Sequence, residues 1–116
     1  VDWVKQLPGY AAFAASPLAF DGLWIDHYLR RFTAHGAIPW PYESDHLFAG
    51  PGLCIRSYAS AVTGRPIAEL TAPSLPSEWL GDVPHTHRAI DDALGYANLL
   101  VTLARIAAEQ RQAATT

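Results

Sequence analysis

His87-Arg88-Ala89-Ile90-Asp91-Asp92 opens the strongest helical pattern in the chain. Successive helical residues turn by about 100°, so the two adjacent acids fall on different faces. Asp91 lines up with Gly95, Asn98, Thr102, Arg105 and Glu109, a polar row. Asp92 lines up with Tyr96, Leu99 and Leu103, beside Ala89, Ala93 and Leu100, an apolar row. A carboxylate on the buried side of a helix is costly unless something compensates it. A divalent cation does so well, because hard cations prefer carboxylate oxygens. A plainer reading stands beside this one. Acids are common in the first helical turn, where they offset the macrodipole, and Thr86 would serve as N-cap. That reading accounts well for Asp91 and poorly for Asp92, since dipole compensation does not require the buried face.

A second acid raises the same question. The stretch from Phe20 to Phe32 reads as an amphipathic helix, with Trp24, Ile25, Tyr28, Leu29 and Phe32 as its apolar stripe. Asp21 falls near the centre of that stripe, while Asp26, His27 and Arg30 take the opposite side. Two carboxylates aimed at a core from separate helices, with a histidine close to one of them, suit metal-assisted hydrolysis. The alternative is that Asp21 caps its helix from just outside, with Phe20 packed beneath it.

These residues resemble two motifs of the DEDDh 3′–5′ exonucleases. Phe20-Asp21 after Ser16-Pro17-Leu18-Ala19 resembles their second motif. His87-Arg88-Ala89-Ile90-Asp91-Asp92 resembles their third, which has the pattern His-x-Ala-x-x-Asp. The resemblance implies an α/β architecture, the ribonuclease H-like exonuclease fold. It implies a metal-dependent enzyme that removes nucleotides from the 3′ end of single-stranded DNA or RNA, with two Mg2+ or Mn2+ ions as cofactors. It makes Asp21 and Asp92 metal ligands and His87 the general base that activates water. Asp91 matches a variable position and receives no role.

The family's first motif, an Asp-x-Glu on a strand, has no counterpart among the twenty residues before Asp21. Residues 1–116 are therefore expected to be the C-terminal part of a single domain, mostly helical with one or two strands. Two of the four metal-binding acids would be absent, and the chain alone is expected to be inactive. An incomplete sheet leaves a raw edge and uncovered apolar surface, so pairing with the missing N-terminal half or with a second copy is expected. The rival reading is a non-catalytic exonuclease-like module that serves only protein contacts.

Composition sets outer bounds. Half of the 116 residues are hydrophobic, enough for one modest core. The net charge of −3 gives no broad basic surface for nucleic acid, although an exonuclease grips only a short end and uses metal ions against phosphate charge. Arg30, Arg31, Arg56, Arg65 and Arg88 would supply local positive potential, most of them simply solvated. Cys54 is the single cysteine, so no intrachain disulfide forms and an oxidising compartment is not implied. No apolar run reaches a membrane span, and a cytoplasmic protein is the default. His85-x-His87 lacks two further ligands at recognisable spacing, and no cysteine pair supports it, so a structural zinc site is not expected.

Along the chain, residues 1–7 read as a helix end stopped by Pro8-Gly9, and residues 10–15 as a buried strand closed by Ser16-Pro17. A helix follows over residues 20–35 with Gly36 as C-cap, then a loop over residues 37–52 holding Trp40, Tyr42, Leu47 and Phe48. Residues 53–63 read as a helix with Cys54, Tyr58, Ala61 and Val62 inward, ended by Gly64. Residues 65–84 are proline-rich and irregular, anchored by Leu70, Leu75, Trp79 and Leu80, and residues 87–110 form the last helix. Trp40 and Trp79, both outside the helices, are the aromatic side chains freest to meet a substrate base.

Overall fold

The computed structural model describes every residue except Pro41, Ser44 and Thr116. The chain divides into two compact units, Val1–Ile55 and Arg56–Thr116. Most described residues are helical, and the one sheet among them is a parallel pair of very short strands.

In the first unit, helix α1 (Asp2–Lys5) precedes strand β1 (Ala14–Ala15). A π-helical turn, Leu18–Gly22, leads into helix α2 (Leu23–Phe32), and the chain returns to strand β2 (Leu53–Cys54). Ala14 lies opposite Leu53 and Ala15 opposite Cys54. Parallel strands need a long crossover, and α2 supplies it. The strand expected over residues 10–15 is thus reduced to its last two residues. Its neighbours still reach across: the Ala49 and Leu53 amides donate to the Ala11 and Phe13 carbonyls, both at 2.8 Å. A continuous ladder fails because the partner segment holds Pro51, which has no N–H, between Gly50 and Gly52 with left-handed φ of 74° and 92°.

Leu18 plugs the space between crossover and sheet. A Cβ on Gly22 would lie 2.9 Å from Leu18 Cδ1, and one on Gly52 would lie 3.1 Å from Leu18 Cδ2. Both positions are glycine where the leucine side chain needs the room.

Helix α2 ends at Thr33, not at Gly36. The Thr33 backbone turns extended, and its amide and hydroxyl both donate to the Leu29 carbonyl at 2.7 Å. Gly36 has another reason to lack a side chain, since a Cβ there would collide with the Arg30 guanidinium and the Asp26 carboxylate.

The orientation of α2 reverses the expectation. Its polar side faces protein and its apolar stripe is open: Trp24 is 53% exposed, Tyr28 51% and Phe32 74%. Asp26 and Arg30 clamp the loop that follows the helix. Asp26 accepts from Arg30 Nε and from the Ile38 amide, each at 2.9 Å. Arg30 also donates to the Ile38 carbonyl at 2.7 Å and to Glu43, and its guanidinium lies 4.0 Å from the Trp40 ring centroid. Glu43 in turn accepts from the Trp40 amide at 3.1 Å. Charge-assisted bonds of this kind are stronger than neutral ones, and five of them gather on this side of α2, three donated by Arg30.

The second unit is built on helix α3 (Ile55–Thr63) and helix α4 (Ala89–Thr115), joined by three short 3-10 turns, Ile67–Glu69, Ala72–Ser74 and Ser77–Leu80. Pro66 and Pro76 precede two of these turns, and Pro73 lies inside the third. A fixed φ near −65° suits a tight turn's start. Leu70, Leu75 and Leu80 follow or close the turns and are all buried, as expected. Cys54 falls in β2 instead of the helix, so α3 starts later than expected. Ala59 and Val62 are buried, Tyr58 and Cys54 half-buried, and Ala61 exposed. Gly64 does end α3, with φ 72° and its amide on the Ser60 carbonyl at 2.9 Å.

Helix α4 buries Gly95, Leu99, Leu103 and Ala107. The row through Asn98 and Thr102, expected to meet solvent, is turned to the Ser77–Leu80 turn. Asn98 Nδ2 donates to the Leu80 carbonyl at 3.2 Å and Thr102 Oγ1 to the Trp79 carbonyl at 3.4 Å. Both carbonyls lie at the end of a 3-10 turn, where helical donors run out, and the Leu80 carbonyl also takes the Val83 amide at 3.3 Å, so amide and hydroxyl side chains suit the seam better than more leucine. Ala89, Ala93 and Leu94 lie outside it and are exposed. At the other end, Gln110 Nε2 donates to the Val62 carbonyl at 3.0 Å and ties α4 to the end of α3.

Two outcomes follow from these contacts. Gly81 is left-handed, with φ 68°, and a Cβ there would strike the Asn98 side chain. Gly81→Ala therefore combines backbone strain of about 1 kcal/mol with loss of the Asn98 bond, about another 1 kcal/mol. Urea unfolding should show a loss of about 2 kcal/mol, and an unchanged midpoint would refute the close approach. In the first unit, the Arg30 hydrogen bond holds the Glu43 carboxyl below its ordinary value of 4.5, helped by the Trp40 amide. A depressed carboxyl pKa stabilises the fold fully above that ordinary value, and the contribution drains away as pH falls through the lowered folded value. Glu43→Gln should flatten this acid limb in urea titrations across that window, and a limb as steep as wild type would remove Glu43 as its source.

Candidate metal centre

The segment between Leu80 and α4 is held at both ends and turns sharply within. Asp82 and His87 both adopt left-handed backbones, with φ 57° and 63°. The turn at His87 stops α4 from extending back to that residue, and the helix begins at Ala89. Thr86 is therefore not the residue that immediately caps the helix. Its Oγ1 accepts from the Arg88 amide at 3.2 Å and donates to Asp91 Oδ2 at 2.7 Å. Asp91 is thus engaged by the turn it follows.

Asp92 stands differently, and the inequivalence of the two acids expected from their spacing is present. Its Oδ1 is shielded from solvent and has no aligned hydrogen-bond donor. His85 Nδ1 approaches this oxygen to 3.2 Å. The distance suits an ion pair, but the orientation does not make a hydrogen bond. The His85 and His87 rings meet edge to face at 4.7 Å, and His85 also packs edge-on against Tyr96 at 6.0 Å. Tyr96 lies one turn beyond Asp92 and so braces the ring from the helix. One ligand atom each from His85, His87 and Asp92 lies within 4.8 Å of the others. His85 and Asp92 are half-buried, and His87 is exposed.

His87 and Asp92 therefore lie close together. His85 is the residue that reading by spacing undervalued. The His-x-His pair has no further ligands at recognisable spacing, and the left-handed turn at His87 brings it beside Asp92. Asp21 is placed otherwise. It belongs to the first unit, within the π-helical turn, and it is exposed. The stripe expected to bury it is itself open, so its carboxylate is hydrated and needs no ion to offset burial.

The arginines are mostly occupied by structure. Arg30 is held by Glu43 and then Asp26, which, with desolvation opposing them, keep its guanidinium above its ordinary value. Arg56 donates to the Ile67 and Ala68 carbonyls, and Arg65 lies 3.9 Å from Glu69. Trp40 is covered on one side by Arg30, and the Trp79 carbonyl is a seam acceptor. No described helix is long and apolar enough to cross a membrane. No protein-family model, curated protein or solved structure matches the chain at a significant level.

Chemically, the cluster offers one hard oxygen ligand and two imidazoles at the start of a helix. The helix N-terminus favours the carboxylate's charge. A shielded carboxylate oxygen without a donor is costly as it stands, and a divalent cation relieves that cost.

Proposed function

We propose that the chain carries part of the active site of a DEDDh-type 3′–5′ exonuclease on a ribonuclease H-like fold. Its substrate would be the 3′ end of single-stranded DNA or RNA, and its location the cytoplasm. One observation supports this above the rest: of two adjacent acids, the one at the motif position has a shielded, unbonded oxygen beside His87, while its neighbour is engaged by Thr86.

Asp92 would hold a Mg2+ or Mn2+ ion, with the further acids of a two-metal site supplied by other residues. When bound, two such ions acidify a water and stabilise the leaving 3′ oxygen of the phosphodiester. His87 takes up the water's proton. It suits the task because imidazole exchanges a proton near neutral pH and because this side chain is exposed on a turn, with room to swing. Asp92 is fixed by the first turn of α4 and stays in place while the imidazole moves.

The open face of α2 favours a second reading, a non-catalytic contact module. Trp24 and Tyr28 stack at 6.2 Å on that face, and exposed apolar patches mark protein contacts.

The two readings separate on a labelled single-stranded oligonucleotide ladder with the intact protein that carries this chain. With Mg2+ or Mn2+, stepwise shortening from the 3′ end is expected. His87→Ala should lower turnover about 10²–10⁴-fold, the usual worth of a general base, with Mg2+ affinity kept. Asp92→Ala should lose both. Wild-type turnover in His87→Ala would end the role given to this imidazole, and an intact ladder with wild-type protein would leave the contact module.

A further inference from the structure

We infer that His85, His87 and Asp92 form a site for a single borderline transition-metal ion, of which Zn2+ is the type, and that such an ion competes with the hard-ion chemistry proposed above. The first half stands on geometry alone, and the competition rests on the nuclease reading.

Ligand softness separates the two kinds of ion. Carboxylate and water suit Mg2+ and Mn2+, whereas imidazole suits Zn2+ and its neighbours. Two of the three groups here are imidazoles. A tetrahedral zinc site has bonds of about 2.0–2.1 Å, which sets its corners about 3.4 Å apart. His85 Nδ1 and Asp92 Oδ1 are 3.2 Å apart and not aligned for a hydrogen bond. They are spaced as two corners of such a tetrahedron. One ligand atom from each of the three residues lies within 4.8 Å of the others, so the third corner is within reach of rotamer changes of the exposed His87 side chain.

The parts of the site are unequally rigid, in the useful order. Asp92 is on the helix. His85 is braced by Tyr96, edge to face at 73°. Only His87 has to move, and it sits on a turn. Three protein ligands leave a fourth position for water, the pattern of open zinc sites. Binding would also draw the imidazole of His87 away from proton transfer, because a coordinated nitrogen cannot accept a proton. A transition metal would therefore inhibit by occupying base and carboxylate together.

The test is Zn2+ alone, titrated by calorimetry into the full chain, with Co2+ absorption as a second reading on unaltered protein. One ion per chain is expected, with Co2+ bands of a four- or five-coordinate nitrogen and oxygen site. His85→Ala and His87→Ala should each weaken Zn2+ at least about tenfold, with helical circular dichroism retained. His27→Ala, an exposed histidine in the other unit, should bind as wild type. Equal Zn2+ affinity in His85→Ala and wild type overturns the site, as does octahedral Co2+ or an equal loss in His27→Ala. In the Mg2+-dependent oligonucleotide assay, the Zn2+ concentration that halves turnover should rise at least about tenfold in His85→Ala, relative to that variant's own Mg2+ rate. Nuclease activity without Zn2+ binding leaves the exonuclease reading standing and this inference fallen, and Zn2+ binding without nuclease activity does the reverse.

Discussion

The second unit depends on one close approach, that of the Asn98 amide to the backbone at Leu80 and Gly81. The approach is open only because residue 81 has no Cβ, and the left-handed φ of 68° makes glycine the cheapest residue there for a second reason. From that point α4 is set at a fixed height against the Ser77–Leu80 turn. Leu80, Leu99 and Leu103 can then be buried, and the segment from Asp82 to Arg88 has both ends held. Its turn at His87 brings two imidazoles to a carboxylate. The candidate site is thus a product of a seam more than a helical turn away from it.

In the first unit the organising force is different. Arg30 gathers Asp26, Glu43, a carbonyl and an aromatic face into one cluster, and the loop after α2 folds over it. A dense set of charge-assisted bonds lies on the side of α2 that faces protein. Apolar burial is the usual arbiter, yet Trp24, Tyr28 and Phe32 stay open.

What was legible in the sequence divides along this line. His87 and Asp92 are five residues apart, and local geometry suffices to bring them together. The leucines at 70, 75 and 80 and the glycine stop at 64 were legible for the same reason: each depends on its immediate neighbours. The facing of α2 was not legible, because it rests on Glu43 and Ile38, far from Asp26 and Arg30 in sequence, and periodicity alone assigns the apolar side inward. Asp21 was misplaced with it. The role of Asn98 and Thr102 was hidden likewise, since a polar row reads as a solvent row unless the carbonyls at a turn's end are known to face it. His85 was visible as a residue but not as a neighbour of Asp92, because nothing in residue spacing foretells a left-handed histidine.

The pairing of Asn98 and Thr102 with consecutive carbonyls also governs how this unit can move. The two donors are one helical turn apart and meet the Leu80 and Trp79 oxygens in order. Sliding α4 along its axis by one turn, about 5.4 Å, would carry Leu94 or Ile106 beneath an oxygen that now takes a side-chain donor. The helix is in effect keyed like a notched rod. A piston stroke of α4 is barred, and any opening at the histidine end has to come from the short connection swivelling about a stationary axis.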